Sequence, residues 1–388
     1  MFMHRGVATF TLDTGKCPPW LFERMVKLGR EMIELLIIEY GPKEFIARIG
    51  DPVWFQTLGT VLAFDWNASG LTTILTAALK EAIFGREKDL GIYICGGKGK
   101  TSLKTPEQIQ KSAEKAYFSE RKTKALIHNS KMSAKVDSSL IQDGYDLYHH
   151  AFFFSKDGAW TVVQQGMNKQ NRTARRYHWH SENITDLIEE PHSGIMSQKL
   201  LKKPTILNLT SKESRENRSL SLELINSNYN TVMKDIQLLR KYSSSLNRMA
   251  SIKVDENQLT LLEMADTEFS DHPVRYENFN RSKYLEKIMW ILCDRKPENY
   301  EQLLSIKGVG PTTIRALSLV SEVIYGAPAS YKDPARYSFA HGGKDGTPFP
   351  VDRPTYDQTI EVFRKAVQKA RLQPKDKNDA LQRLFKLK

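Results

Sequence analysis

The chain has little cysteine, no long apolar run, and fewer acids than bases. Its three cysteines, Cys17, Cys95 and Cys293, stand far apart and show no C-x-x-C spacing. Neither a disulfide framework nor a cysteine-based zinc site is therefore indicated. No apolar stretch reaches the ~20 residues that a helix needs to span a bilayer. Met1 to Phe10 lacks the apolar centre of a signal peptide, so a cytoplasmic protein without a membrane partner is expected. Acids number 45 against 57 lysines and arginines, which gives a formal charge of +12 and a pI near 9.3. That imbalance points to a polyanionic partner. What is present, 40% hydrophobic and 10% aromatic residues in 388, suffices for two or three folded domains.

The clearest indication of a partner is Leu303 to Tyr325. The pattern predicts a short helix ending near Ile306, a tight turn at Gly308-Val309-Gly310, and a second helix opened by Pro311. Together these make a helix-hairpin-helix spanning about 298–326. Two glycines let the chain turn sharply and approach a phosphate, and proline suits a first helical turn. The free N–H groups of the second helix, with its dipole, would face the anion. Val309 would plug the space between helices, with Leu303, Leu304, Ile306, Leu317 and Val320 on the inner faces. Lys307, Gly308, Val309, Gly310, Thr312 and Thr313 are thus expected at a nucleic-acid backbone, most simply that of DNA.

Toward the N-terminus, Gly6 to Leu12 alternates like a strand. Pro18-Pro19 opens an amphipathic helix closed at Gly41-Pro42. Apolar helices are expected over Asp51 to Phe64 and Leu71 to Phe84, with Ser69 or Asn67 capping the latter. Ile92 to Cys95 reads as a strand running into a loop, Gly96-Gly97-Lys98-Gly99-Lys100-Thr101-Ser102. This is no P-loop, because the first glycine of that motif would fall at Ile94. Thr105 and Gln108 suggest a capping box at the next helix. Lys98 and Lys100 would cradle a DNA phosphate beside the loop's N–H groups.

Five of the nine histidines, His149, His150, His178, His180 and His192, fall within 149–192. A β-hairpin is expected there, Ala151 to Ser155 and Trp160 to Gln165, turning at Lys156-Asp157-Gly158. His178 and His180 flank Trp179, so on a strand they share one face. With a carboxylate from Asp143, Glu189 or Glu190 they would bind a divalent cation, magnesium or manganese being expected. Such an ion could activate water for phosphodiester hydrolysis. Asp143, His149, His150, Gln164, His178 and Glu190 are the candidate catalytic residues, with His149 or His150 a general base if no metal takes part. Arg175 and Arg176 would clamp phosphates bidentately.

The segments RGVATFTL, PPWLFERMVKLGR, FDWNASG, CGGKGKTS, KVDSSLIQDGYDLYHH, VVQQGMN, ARRYHWHS and EEPHSGI, with FAHGGKDGTPFPVDR further on, resemble the mainly archaeal family of unknown function numbered 763. The resemblance covers nearly the whole chain and brings no assigned catalytic residue.

Beyond Pro204 the sequence turns polar and then helical. The division expected is an α/β domain with a small sheet over 1–205 and a mainly α-helical domain over 206–388, an α+β protein as a whole. Phe363 to Lys388, with nine bases against Asp376 and Asp379, reads as a basic helical tail. Helix-hairpin-helix glycosylases that act as lyases carry a lysine two residues past the hairpin's second glycine. Here that residue is Thr312, which cannot form a Schiff base. A monofunctional glycosylase would use Asp352 or Asp333. A metal-dependent DNA-processing nuclease is the leading expectation, with that glycosylase and a non-catalytic DNA-binding protein as alternatives.

Overall fold

A computed structural model describes residues 11–12, 16–62, 68–197, 206–243, 283–337 and 353–385. The chain begins with helices α1 (Pro19–Gly50), α2 (Pro52–Val61), α3 (Ala68–Ala82) and α4 (Glu87–Leu90). Strand β1 (Ile92–Lys98) follows, then α5 (Lys100–Leu103), α6 (Thr105–Lys115) and α7 (Glu120–Ser139). Next come β2 (Ile141–Gln142), β3 (Asp146–Ser155), β4 (Trp160–Asn168), β5 (Thr173–His180), β6 (His192–Ser197) and β7 (Leu207–Asn208). The rest is α8 (Arg215–Ser227), α9 (Tyr229–Ser243), α10 (Lys283–Arg295), α11 (Tyr300–Ser305), α12 (Pro311–Val323), β8 (Arg336–Tyr337), α13 (Arg353–Lys369) and α14 (Pro374–Phe385). The mixed α and β composition, with a small sheet in the first half and helices beyond it, is that expected.

The main sheet has the order β1-β3-β4-β5-β6-β8, antiparallel except for the short parallel pairing of β6 with β8. Because side chains alternate across a strand, β3 sends Phe152 and Phe154 to one face and Phe153 to the other. The first pair joins Tyr93, Trp160, Val162 and Trp179 in a core that continues through α7 to α12. Phe153 joins Ile92, Ile94 and Val163 in a core shared with α1, α2, α3, α13 and α14. The sheet is therefore the middle of three layers. Phe363 of α13 stacks on Trp54 of α2 with centroids 4.8 Å apart, so the basic C-terminal helices pack on the N-terminal ones.

Several local expectations change. The break at Gly41 is present (φ 83°), but α1 resumes beyond Pro42 and runs to Gly50. Ser69 lies inside α3 and donates to the Thr11 carbonyl instead of capping. Thr105 and Gln108 form no capping box: the Thr105 hydroxyl donates to Ser102 O, and Gln108 Oε1 accepts from Gly96 N and Lys80 Nζ. Gly96 and Gly97 belong to β1, paired with Ala151 and His150. At Gly96 (φ +87°) a Cβ would stand 2.2 Å from the His150 carbonyl oxygen, so glycine is required there for strand pairing, not for phosphate approach. Asn67, Asp352 and the first five residues of the strand expected over Gly6 to Leu12 lie outside the described residues, and its Thr11 forms a bridge to Thr173.

Helices α2 and α3 meet at Gly59, where a Cβ would fall 2.5 Å from the Leu71 side chain, itself fully buried. Gly59→Ala should therefore destabilise the fold by about 1–3 kcal/mol despite alanine's better helix propensity. Urea denaturation measures this, and a stabilised variant would show that the two helices can separate at no cost.

Candidate functional site

The polar side chains of 137–192 sort by strand alternation into two sets on opposite faces of the sheet. On the face toward α7, the carboxylate of Asp137 on that helix accepts from Gln164 Nε2 at 2.5 Å, Trp179 Nε1 at 3.1 Å and His192 Nε2 at 2.5 Å. Gln164 Nε2 also donates to Ser133 O at 3.2 Å, so its Oε1 is left to accept from His150 Nδ1 at 2.8 Å. That fixes the tautomer: His150 carries its proton on Nδ1, and Nε2 accepts from the Ser130 hydroxyl at 2.8 Å. The chain Ser130–His150–Gln164–Asp137–His192 is thus a closed network in which each group has a partner. Asp137 and Ser130 escaped the sequence reading, although Ser130, Ser133 and Asp137 form a polar stripe at helical spacing.

The opposite face meets the N-terminal helices. His149 Nε2 contacts the Thr76 hydroxyl at 3.2 Å, His178 Nδ1 the Ile49 carbonyl at 3.3 Å, and His180 Nδ1 the Thr161 hydroxyl at 3.0 Å. His178 and His180 do share a face, as alternation requires. Burial lowers both pKa values and also that of His150, and pushes His149 down to about 3 with help from His150 and Lys98. Arg176 donates to Gln56, Thr72 and the Pro52 carbonyl, with its guanidinium 4.9 Å from the Phe55 ring centre.

Arg175 is fully buried. It donates to Asp143 at 2.8 Å and, through both terminal nitrogens, to Asp333 at 2.9 and 2.8 Å. Tyr177 donates to the same Asp143 oxygen at 2.9 Å. Burial opposes the charge on this guanidinium, and the neighbouring Asp143 and Asp333 more than offset it, so its pKa is raised. Neither Arg175 nor Arg176 reaches solvent, contrary to the expected phosphate clamp. The reason is that β5 is sandwiched by helices on one side and by the Asp143 and Asp333 loops on the other.

The expected metal ligands also part company. Asp143 serves Arg175; Glu189 pairs with Arg215 and Arg218; Glu190, at φ 47°, pairs with Lys212 at 3.2 Å. Among the described residues no group of three or more His, Cys, Asp or Glu side chains is placed to hold a metal ion. Glu189, Arg215 and Arg218 instead line a cleft of about 910 Å³ between the β5–β6 connection, α8 and the start of α11. Asp333, with both oxygens on Arg175, is no free carboxylate.

The exposed candidates lie elsewhere. Lys98 and Lys100 flank the Gly99 turn in solvent. Further along the chain, α11, the turn Gly308 to Gly310 and α12 follow one another as the spacing requires. Val309 is buried among the flanking helices while Lys307 and Thr312 are exposed, and Thr313 turns its side chain inward. Lys135 of α7 donates to Leu304 O at 2.5 Å and Ile306 O at 2.9 Å, Tyr284 of α10 to Gly308 O at 3.0 Å, and Gln142 to Pro311 O at 2.9 Å. These anchors were invisible in sequence because they come from distant elements.

Two predictions follow from these burials. Unfolded histidine titrates near 6.5, so between that value and the lowered folded ones the unfolded chain binds more protons. Stability should fall as the pH drops below about 6.5, by up to about 1.4 kcal/mol per pH unit for each fully buried histidine. Urea midpoints that stay level from about pH 7.5 to 5 would contradict this, and His149→Gln should flatten the slope. Arg175→Met strands two buried carboxylates and should cost about 3–5 kcal/mol. Adding Asp143→Asn and Asp333→Asn should recover part of the loss in the same denaturation assay.

No curated protein and no solved structure gave a match. The sequence does match, over residues 6–351, the family described as protein of unknown function (DUF763). Since that match takes in both faces of the sheet and the α11–α12 turn, the chain belongs to the DUF763 family.

Proposed function

We propose that the chain binds nucleic acid, with DNA the expected partner, by gripping the backbone at a helix-hairpin-helix formed by α11, the Gly308 to Gly310 turn and α12. One observation carries this reading: the carbonyls around the turn are drawn inward by Lys135, Tyr284 and Gln142, while α12 starts with no side-chain cap. Pro311 carries no N–H and Ile314 N bonds Gly310 O, so the first-turn donors left for a phosphate are the N–H groups of Thr312 and Thr313, beside the exposed Pro311 and Thr312. Space is free there too, since a Cβ on Gly310 would meet no atom within 4 Å. The charge of +12 supplies the long-range attraction.

Hydrolysis has less support. The residues expected to bind magnesium or manganese are held in separate ion pairs and hydrogen bonds, and burial lowers the pKa of His149, His150, His178 and His180.

The turn is best tested at Thr312. Gly308→Glu would also disturb packing, because its Cβ would stand 2.4 Å from Ile288 Cδ1 at φ +98°. Glutamate at position 312 suits a helix N-terminus but repels phosphate, so Thr312→Glu separates binding from folding. Fluorescence anisotropy with labelled duplex DNA should show wild-type affinity falling steeply with salt. Thr312→Glu should weaken it roughly ten-fold, about 1.4 kcal/mol, with the melting temperature kept. Unchanged affinity would remove the turn from the interface. With magnesium, manganese or EDTA present, the same strands should remain whole.

A further inference from the structure

Helix α10 supports the turn from beside it. Ile288 packs under Gly308, and the Tyr284 hydroxyl bonds the Gly308 carbonyl. Leu285, Ile288, Met289 and Leu292 fill its inner face. Its outer face carries two large exposed aromatics on one helix. Tyr284 is 59% exposed and Trp290 56% exposed, with Lys283 and Lys287 exposed between them. At 100° per residue the order around the helix is Trp290, Lys283, Lys287, Tyr284, within an arc of roughly 120°. Along the axis Trp290 stands about 9 Å from Tyr284. Of the acids of this helix, Glu286 is half-buried and outside the arc, and Asp294 falls within it one turn beyond Trp290.

We infer that this face is a stacking platform for unpaired bases, so that the protein prefers DNA with a single-stranded segment over a fully paired duplex. The inference rests on the backbone grip proposed above. A strand whose phosphate lies at the turn passes directly beside Tyr284, and the lysines meet its next phosphates. Bases inside a duplex are already stacked and present no face to Tyr284 or Trp290. Unpaired bases do, and aromatic rings bind them with little regard to sequence. Charge favours this occupant over an apolar protein partner, because exposed lysines separate the two rings.

The test uses the full chain and three labelled probes of equal length: a blunt duplex, a duplex with a single-stranded extension, and oligothymidine. Anisotropy at one fixed ionic strength should give roughly ten-fold tighter binding to the two probes with unpaired bases. Trp290→Ala should remove most of that preference and leave duplex affinity and melting temperature unchanged, whereas Trp290→Phe should keep it. Equal affinity for all three probes, or a preference that survives Trp290→Ala, overturns the platform. Duplex binding that Thr312→Glu still weakens would, in that case, leave the grip standing. Failure of every probe to bind overturns both.

Discussion

Arg175 is the point on which the two halves of the molecule depend. It sits on a central strand, reaches back to Asp143 ahead of β3, and reaches forward to Asp333 beyond α12. A buried guanidinium is costly to desolvate, and two carboxylates with good geometry offset that cost only if all three groups stay together. Sheet and turn-bearing helices are thereby locked in one arrangement. The pairing of β8 with β6 beside this triad extends the same connection through the backbone.

The remaining polar groups of the sheet follow a related rule. His149, His150, His178 and His192 each bond a specific group on an adjacent helix and His180 bonds Thr161 of the next strand, and burial lowers the pKa of the first three and of His180. Neutral imidazole is a short, planar connector with one donor and one acceptor, which suits a strand position facing a helix. Ser130, His150, Gln164, Asp137 and His192 use that property to tie α7 across three strands. The concentration of histidine in this stretch thus has a structural account in part.

Sequence periodicity revealed most of the helices, the β3–β4 hairpin and the alternation that sets His178 and His180 together, because these depend on near neighbours. The turn at Gly308 was legible for the same reason. Burial of Arg175 and Arg176 was not. A pair of adjacent arginines looks like a solvated face until the sheet is known to be covered on both sides. The glycines after Cys95 misled in the opposite sense: they suggest a loop near phosphate, whereas Gly96 lets β1 approach the backbone of β3. In each case the missing information was which distant element packs against the residue.

That distinction bears on how the grip would work. Lys135 is half-buried, and desolvation lowers its pKa, yet its ammonium accounts for two carbonyls at the end of α11. An amine placed there orients the peptide groups of the turn before any ligand arrives, and Tyr284 fixes the next carbonyl. A backbone held this way loses little conformational freedom on meeting a phosphate, so more of each contact remains as affinity. Charge scattered over a flexible basic tail could not do the same. The helices at the C-terminus instead bury Phe363 and Val367 against the N-terminal layer, and so act first as packing. Binding, on this view, is assigned to an exposed place where carbonyls are tied inward and a helix start is left open.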